Sequence, residues 1–220
     1  RRLWDSWEDD AEIRDAATGR FVDRDKLHYI DFEGRWFKVR GPSITPRPPQ
    51  GQPVVTALAH APVPWRFGAQ RADVVYVTPF STLEARAIVD EIRIDQEAAG
   101  RGDETVHVFG DLVVFLDADP AAAQDRKAHL DELAGRSYDS DAQVFVGSPG
   151  ELADLLLERQ AVGLTGFRLR PGAIPQDLQA IVTLLVPELQ RRGAFRTGYQ
   201  ADTLRGLLGL PRPADRYATV

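Results

Sequence analysis

His60 is the histidine best placed in this chain to bind a ligand, as an imidazolium or as a neutral hydrogen-bond donor. It lies in the tripeptide Ala59-His60-Ala61, directly after the apolar run Val54–Leu58, which is typical of a strand buried on both faces. In parallel α/β folds, ligands bind at the carboxyl ends of the strands. The sequence therefore predicts that this tripeptide lies at the mouth of a site, with Thr78-Pro79-Phe80 after the next apolar run.

Other residues that could carry chemistry give weaker signals. Arg168 and Arg170 alternate along the last predicted strand, and Arg170 falls at its carboxyl end. That is a phosphate or substrate position in a barrel and a solvated edge in an open sheet. His28 lies in a long loop near the predicted mouth, whereas His107 and His129 are predicted to pack or to face solvent. No pair of histidines has metal-ligand spacing, and the absence of cysteine excludes thiolate sites and a cysteine nucleophile.

The stretch Pro53–Pro79 must position the tripeptide, and its pattern predicts a strand, a helix and a second strand. Two prolines, Pro62 and Pro64, suit the opening of a helix because its first amides have no internal partner. The helix is predicted over Trp65–Arg71 and the second strand over Val74–Val77. Two buried strands joined by a helix form a βαβ unit, which requires a parallel sheet and a right-handed crossover.

The same alternation continues to residue 192. Capping boxes, Ser81 with Glu84 and Ser148 with Glu151, open two of the helices. The remaining predicted elements are strands over 106–116 and 166–171, a short apolar piece over 143–146, and helices over 81–99, 120–134, 149–161 and 175–192. We count four βα units over 53–192, which is half of a (β/α)₈ barrel. Either the other half lies upstream, or two chains pair, or the sheet is open.

The two ends of the chain have their own patterns. Leu3, Trp4 and Trp7 have helical spacing, which predicts a helix over 1–11 with a solvated acidic end. The tail over 193–220 is predicted to form a surface strap with a short helix near 203–208.

An insertion of loop and hairpin is predicted over 12–52. Tyr29–Phe32 and Arg35–Val39 flank the turn at Glu33-Gly34 as a hairpin. A connection this long is often a lid or a binding loop. The aromatic residues of the insertion either line a substrate pocket or form a local core under the loop, and both interpretations remain open.

Composition limits the partners. The 220 residues are 43% hydrophobic with a formal net charge of −6, which argues against nucleic acid and anionic membrane as partners. No apolar run approaches the roughly 20 residues that cross a bilayer, and no signal peptide opens the chain, so we expect a cytoplasmic protein. The chain has no methionine and begins at Arg1, so we expect it to be the C-terminal piece of something larger.

Several long motifs resemble the bacterial-luciferase-like flavin-dependent monooxygenases, in the branch of nitrilotriacetate monooxygenase component A and dibenzothiophene-sulfone monooxygenase. The motifs are LWDSWEDDA at Leu3–Ala11, the block Thr18–Pro42, PRPPQGQPVV at Pro46–Val55, GSPGELADLLLE at Gly147–Glu158, VPELQRRGAFRT at Val186–Thr197 and TLRGLLGLPRP at Thr203–Pro213. The resemblance spans essentially the whole chain and covers the C-terminal half of such proteins.

The resemblance implies a single (β/α)₈ barrel domain, of which residues 1–220 supply about the last four βα units. It also implies an enzyme that takes reduced FMN from a separate flavin reductase and uses O₂ to oxygenate a small organic substrate. In this family the flavin performs the oxidation, so the resemblance assigns no catalytic residue on this chain. Relatives carry a Gly-Ser-Ser-like turn that holds the FMN phosphate, and Ala59, His60 and Ala61 are the matching positions here.

That match departs from the family pattern, since the serine hydroxyls are absent and two prolines remove amide donors. His60 replaces part of this grip if it faces the ligand. Two alternatives follow: a non-catalytic half-barrel that binds flavin or another small molecule or only self-associates, and, less favoured, an oxidoreductase that uses the deazaflavin F420. Exposed strand edges also predict a homo-oligomer.

Overall fold

The computed structural model describes residues 1–217 and divides the chain into two compact units. Arg1–Val54 and the chain from Gln200 onward form the first unit, and Val55–Tyr199 forms the second. The last three residues of the predicted strap, 218–220, lie outside the described residues.

Strands and helices alternate along most of the second unit, and short strands dominate the first. The strands are β1 (Glu12–Asp15), β2 (Arg20–Val22), β3 (Phe32–Glu33), β4 (Lys38–Val39), β5 (Thr56–Leu58), β6 (Val74–Val77), β7 (His107–Leu116), β8 (Val144–Gly147) and β9 (Gly166–Pro171). The helices are α1 (Pro62–Arg71), α2 (Thr82–Ala98), α3 (Pro120–Ala134), α4 (Pro149–Ala161), α5 (Gln176–Ala180), α6 (Val186–Arg191) and α7 (Leu204–Leu207). A π-helical turn, Ile181–Leu185, joins α5 to α6.

The helix predicted over residues 1–11 is wrong, because this segment forms turns in the first unit. Long-range pairing replaces the helical hydrogen bonds: the His28 amide donates to the Ser6 carbonyl at 2.8 Å, and Trp7 forms an antiparallel bridge with Leu27. Asp5 is buried and accepts a hydrogen bond from Arg47. Tertiary partners of this kind routinely outweigh a local helical pattern.

Two small antiparallel hairpins, β1–β2 and β3–β4, follow in the first unit. The hairpin predicted around Glu33-Gly34 is confirmed, although it is limited to β3 and β4. The interpretation of its aromatic residues as a local core is wrong for Trp36 and Phe37, which are 80% and 63% exposed. Arg35 instead lies over the Trp36 ring, 4.4 Å from its centre.

The second unit is built on a parallel sheet in which β5, β6, β7 and β9 form one continuous path. A fifth strand, β8, forms from the short apolar piece, which the count of four units leaves out. It pairs with Val113–Leu116 at the carboxyl end of β7. Strand β6 pairs along the same edge of β7, nearer its amino end. Strands β8 and β6 must share that edge, because β9 covers the other edge of β7 along Phe109–Val114.

Helices cover one face of this sheet. Val75, Val77 and Val108 pack with Ala85 and Ile88 of α2 in one buried cluster. A second buried cluster joins alternate residues of β7 to helix α4 and to the π-helical turn; its members include Leu112, Val114, Leu116, Leu152, Leu156 and Leu185. The strand and helix bounds predicted for the sheet therefore hold within a few residues.

The first strand of the sheet is shorter and more exposed than predicted. It begins at Thr56 instead of Val54, and Leu58 is 49% exposed. The reason is positional: β5 pairs only with β6 among the described strands, so it lies at an edge of the sheet. The prediction of burial on both faces is thus wrong for this strand.

Candidate functional site

The site is built on the face of the sheet that points away from the helices, which we call the inner face. Successive side chains of a strand alternate between faces, so Tyr76, Phe109 and Asp111 lie opposite the helix-packed Val75 and Val108. Strand register brings the inner-face residues into layers across the sheet. Leu58, Tyr76, Phe109 and Gly166 form one apolar layer.

Gly166 is required in that layer by the ring beside it. A Cβ atom added to Gly166 would lie 2.5 Å from Cε1 of Phe109. We expect Gly166→Ala to lower the free energy of unfolding by about 1–3 kcal/mol, because the ring must shift in a packed layer. Urea denaturation followed by circular dichroism measures the change.

Gly198→Ala is the matched control, since a Cβ there meets no atom within 4 Å. Equal stability of the two variants would contradict this account of the layer.

One layer nearer the carboxyl ends, the inner face becomes charged. Asp111 is fully buried and pairs in register with Arg168, whose guanidinium donates to it and lies 5.2 Å from the centre of the Tyr76 ring. Burial raises the pKa of the Asp111 carboxyl, and the hydrogen bond from Arg168 opposes that rise. Within the described residues, Oδ1 of Asp111 has no hydrogen-bond partner. This pair places a polar layer directly beneath the mouth.

His60 lies at the carboxyl edge of the sheet, as the sequence predicts. Its Nδ1 lies 2.9 Å from Oγ1 of Thr78, which follows β6, so the two predicted mouth segments are in contact. When the Thr78 hydroxyl donates to Nδ1, the ring proton sits on Nε2 and is presented to a ligand. His60 is exposed, and its Nε2 lies 4.0 Å from Oδ2 of Asp141.

The neighbours of His60 differ in what they offer a ligand. Ala59 is buried; its amide donates to the Tyr76 carbonyl at 2.9 Å, and its own carbonyl accepts from Trp65 Nε1 at 3.0 Å. Ala61 precedes α1 and makes no side-chain cap to that helix. Its amide and that of His60 donate to no acceptor in the described part of the chain.

Arg170 completes the carboxyl edge from the other side. Its Nη2 donates to Oδ1 of Asp141 at 2.8 Å and to Oγ of Ser140 at 2.9 Å. Both acceptors belong to the connection between α3 and β8. The hydrogen bond from Arg170 lowers the pKa of Asp141, so its carboxylate stays charged at neutral pH. His60, Asp141 and Arg170 therefore form one connected group across the mouth.

The other three histidines and Arg66 lie outside this group. Arg66 of α1 donates to Asp95 of α2 at 3.1 Å, and this bond joins the two helices. In the first unit, His28 Nε2 donates to Oε1 of Glu8 at 2.7 Å, and the His28 ring stacks on Tyr217. His107 contacts Thr165 at the amino ends of the strands, and His129 lies exposed on α3.

A cavity of about 310 Å³ also opens at the amino ends of the strands, between Arg93, Glu104 and His107. It is at the opposite end of the sheet from the mouth. Its polar groups are held by local bonds, as Arg93 is by the Val106 carbonyl at 2.8 Å, so we assign it no chemistry.

Sequence reasoning missed two members of the site. Asp111 carried a usable signal, since it is a lone carboxylate inside the apolar run of β7. Asp141 carried none, because it lies in a connection rich in serine and aspartate that is typical of any solvated loop. In residues 1–217, no group of three or more His, Cys, Asp or Glu side chains is arranged to hold a metal ion. Nor does any helix in that range combine the length and apolar character needed to cross a bilayer.

A parallel sheet covered by helices on one face, with a polar site at its carboxyl edge, defines a barrel-type α/β protein. The chain belongs to the luciferase-like monooxygenase family, whose sequence profile matches residues 2–162. This confirms both the family resemblance and the (β/α)₈ fold class, of which the chain supplies a part.

Individual relatives agree with the family assignment. The chain is 28% identical over 276 residues to dibenzothiophene-sulfone monooxygenase of Rhodococcus erythropolis, covering 97% of this chain and 61% of the relative. It is 29% identical over 281 residues to nitrilotriacetate monooxygenase component A of Aminobacter aminovorans, covering 99% and 61%. The crystal structure of a long-chain alkane monooxygenase superposes with a TM-score of 0.81 at 25% identity, covering 94% of this chain and 57% of that one. The chain thus spans about three fifths of the length of these relatives.

Proposed function

We propose that the protein containing this chain is a monooxygenase that uses reduced FMN and O₂ to oxygenate a small organic substrate. The observation that carries the proposal is the family match over residues 2–162, joined to a polar mouth at the carboxyl edge of the sheet. The relatives named above are monooxygenases of small organic molecules, which supports the same reaction class here. Reduced flavin, when bound, activates O₂ and transfers one oxygen atom to the substrate.

The residues at the mouth fit the phosphate of FMN, though less fully than a serine-rich turn would. Two backbone amides, of His60 and Ala61, are free for an anion, and His60 Nε2 adds a side-chain donor. Pro62 and Pro64 supply no amide, so the first turn of α1 offers fewer donors than an ordinary helix N-terminus. Within the proposal, Ala59, His60 and Ala61 form the phosphate turn; Ala59 fixes its path, and the other two residues make the contacts.

The inner face contributes to orientation and to the exclusion of water. Tyr76 and Phe109 present aromatic surface beside the polar layer, with ring centres 5.7 Å apart and edge to face. Such a surface suits the flat ring of a flavin or an apolar substrate. Aromatic surface of this kind excludes water where a bound flat ring covers it.

The wider setting is part of the same proposal. The relative from Aminobacter aminovorans is named component A, which supports a separate flavin reductase as partner. Strands β5 and β9 have uncovered edges in the described chain, which supports further strand pairing, with the rest of a single barrel domain or in a homo-oligomer. We place the protein in the cytoplasm, where a reductase can supply reduced FMN.

The test supplies the purified protein with FMN, NADH, a flavin reductase and ¹⁸O₂. Nitrilotriacetate and dibenzothiophene sulfone serve as first substrates because relatives are named for them. We expect one ¹⁸O atom per product molecule, formed only when the reductase is present. Tight FMN binding without any oxygenated product across a broad substrate panel would instead favour a non-catalytic flavin-binding protein.

His60 gives a direct prediction for the phosphate turn. We expect His60→Ala to weaken FMN affinity at least tenfold, about 1.4 kcal/mol, because a side-chain donor to the phosphate is lost. Quenching of flavin fluorescence during titration measures the affinity. His129→Ala on the exposed face of α3 is the matched control. An unchanged dissociation constant in the His60 variant would remove this residue from the site.

A further inference from the structure

The carboxylate of Asp141 lies between the Arg170 guanidinium and the His60 imidazole. One of its oxygens accepts from Arg170 Nη2 at 2.8 Å, and the other lies 4.0 Å from His60 Nε2. The guanidinium and the imidazole are therefore separated by about the width of a single carboxylate. The imidazole follows β5 and the guanidinium lies at the end of β9, so the two groups come from opposite edges of the sheet.

From this arrangement we infer that His60 and Arg170 form a binding site for an oxyanion, which Asp141 occupies as an internal competitor in the absence of ligand. The occupant it imitates is a phosphate or carboxylate group carried by the cofactor or the substrate. The inference rests on the proposed function and deepens it. It adds Arg170 to the ligand-binding residues of the mouth, and it identifies Asp141 as the group that occupies their site before a ligand binds.

The local structure allows Asp141 to leave without unfolding its loop. Its side chain is 54% exposed, so it can rotate into solvent. Its neighbour Ala142 is buried, and the Tyr138 amide is held by Asp131 at 2.9 Å, so both flanks stay anchored.

Arg170 remains oriented after Asp141 leaves. Ser140 Oγ accepts from the same Nη2 at 2.9 Å. The Ser140 hydroxyl donates to Asp141 at 3.1 Å, and when Asp141 leaves, the amide of Ala142 still donates to the Ser140 oxygen at 3.2 Å. The Thr78 hydroxyl likewise keeps the His60 ring in place. Because the guanidinium and the imidazole both keep a partner, an incoming oxyanion meets a preorganised pair of donors.

The chemistry favours exchange by a ligand that carries more charge than Asp141. A phosphate monoester brings close to two negative charges and three acceptor oxygens, against one charge and two oxygens for a carboxylate side chain. Such a ligand can bond to Arg170 and His60 together. A neutral ligand cannot displace Asp141 by this route.

The test measures binding of inorganic phosphate to the purified protein by calorimetry at fixed low ionic strength. We expect Asp141→Asn to bind phosphate at least fivefold more tightly than the parent protein, about 1 kcal/mol, because the competing charge is gone. The double variant with Arg170→Gln should lose this gain. Asp139→Asn is the matched control: it removes a charge from the same loop, and within residues 1–217 the Asp139 carboxylate accepts a hydrogen bond only from the Ser140 amide.

Two further titrations of Asp141→Asn identify the source of the oxyanion. A gain for FMN but not for riboflavin or succinate assigns the cofactor phosphate, and a gain for succinate alone assigns a substrate carboxylate. Phosphate affinity that is unchanged or weaker in a folded Asp141→Asn variant would overturn the inference. None of these measurements needs turnover, so they stand apart from the test of monooxygenase activity.

Discussion

Replacing Arg47 by alanine should lower the free energy of unfolding of the first unit by about 3–5 kcal/mol, the range for breaking a buried ion pair. The Arg47 side chain is fully buried and uses all of its nitrogens. It donates to Asp5 at 3.3 Å, to Asp9 at 2.8 Å, and to the carbonyls of Pro213 and Ala214 at 2.7 and 2.9 Å. The alanine variant leaves a buried carboxylate and two carbonyl groups without this donor.

The position of Asp5 explains why the Arg47→Ala variant should lose so much stability. Asp5 is only 2% exposed, and its remaining partners are Gln52, which donates at 2.8 Å, and the half-exposed Arg216, which donates at the longer distance of 3.5 Å. A buried charge that loses its main counter-ion costs more than the pair itself contributed. Asp9 is less affected, because Arg212 also donates to it and is the main cause of its lowered pKa.

Urea denaturation followed by tryptophan fluorescence measures the effect, since Trp4 and Trp7 lie in this unit. Arg47→Lys should recover only part of the loss, because one ammonium group cannot reach four acceptors in a planar fork. Arg24→Ala removes an exposed arginine of the same unit and should change stability by less than about 0.5 kcal/mol. If the Arg47 and Arg24 variants unfold at the same urea concentration, this cluster does not hold the unit together.

Replacing Asp177 by alanine should destabilise the second unit by about 3–5 kcal/mol. Asp177 is fully buried near the start of α5 and accepts from two backbone amides, of Leu116 at 2.8 Å and of Ala173 at 2.7 Å. Arg126 of α3 also donates to it. One carboxylate thus joins the end of β7, the turn after β9 and helix α3.

The Asp177→Ala substitution should also affect the mouth of the site, because β7 and β9 carry Asp111, Arg168 and Arg170. Loss of the carboxylate leaves two backbone amides without an acceptor at the carboxyl edge. We therefore expect hydrogen exchange at Leu116 and Ala173 to rise together with the loss of stability.

Thermal unfolding by circular dichroism and exchange by mass spectrometry measure both effects. Asp177→Asn keeps one acceptor oxygen and should fall between the parent protein and the alanine variant. Asp125→Ala on the exposed face of α3 is the control. If the amides of Leu116 and Ala173 stay protected from exchange in the alanine variant, another group holds the carboxyl edge of the sheet.

Much of the second unit follows from local patterns. The capping box at Ser148 and Glu151 is present in full, with the Ser148 amide donating to Glu151 at 2.8 Å. The last strand runs over Gly166–Pro171, as the pattern predicts. Caps and apolar runs act over a few residues, so a sequence reveals them without knowledge of the rest of the fold.

Local patterns failed where distant residues compete for the same groups. The segment around Leu3, Trp4 and Trp7 has helical spacing but forms turns, because Arg47 and Leu27 supply partners from far along the chain. Leu58 lies in an apolar run but is half exposed, because burial depends on what covers the inner face.

The sequence by itself determined the parallel α/β architecture, the family and the place of His60 at the carboxyl edge of the sheet. Tertiary structure alone decided that Thr78 contacts His60 and that Asp141 lies between His60 and Arg170. The physical reason is the range of the interactions. Hydrophobic periodicity and helix capping are written within a few residues, whereas strand register and loop path bring together Asp141 and Arg170, which are 29 residues apart.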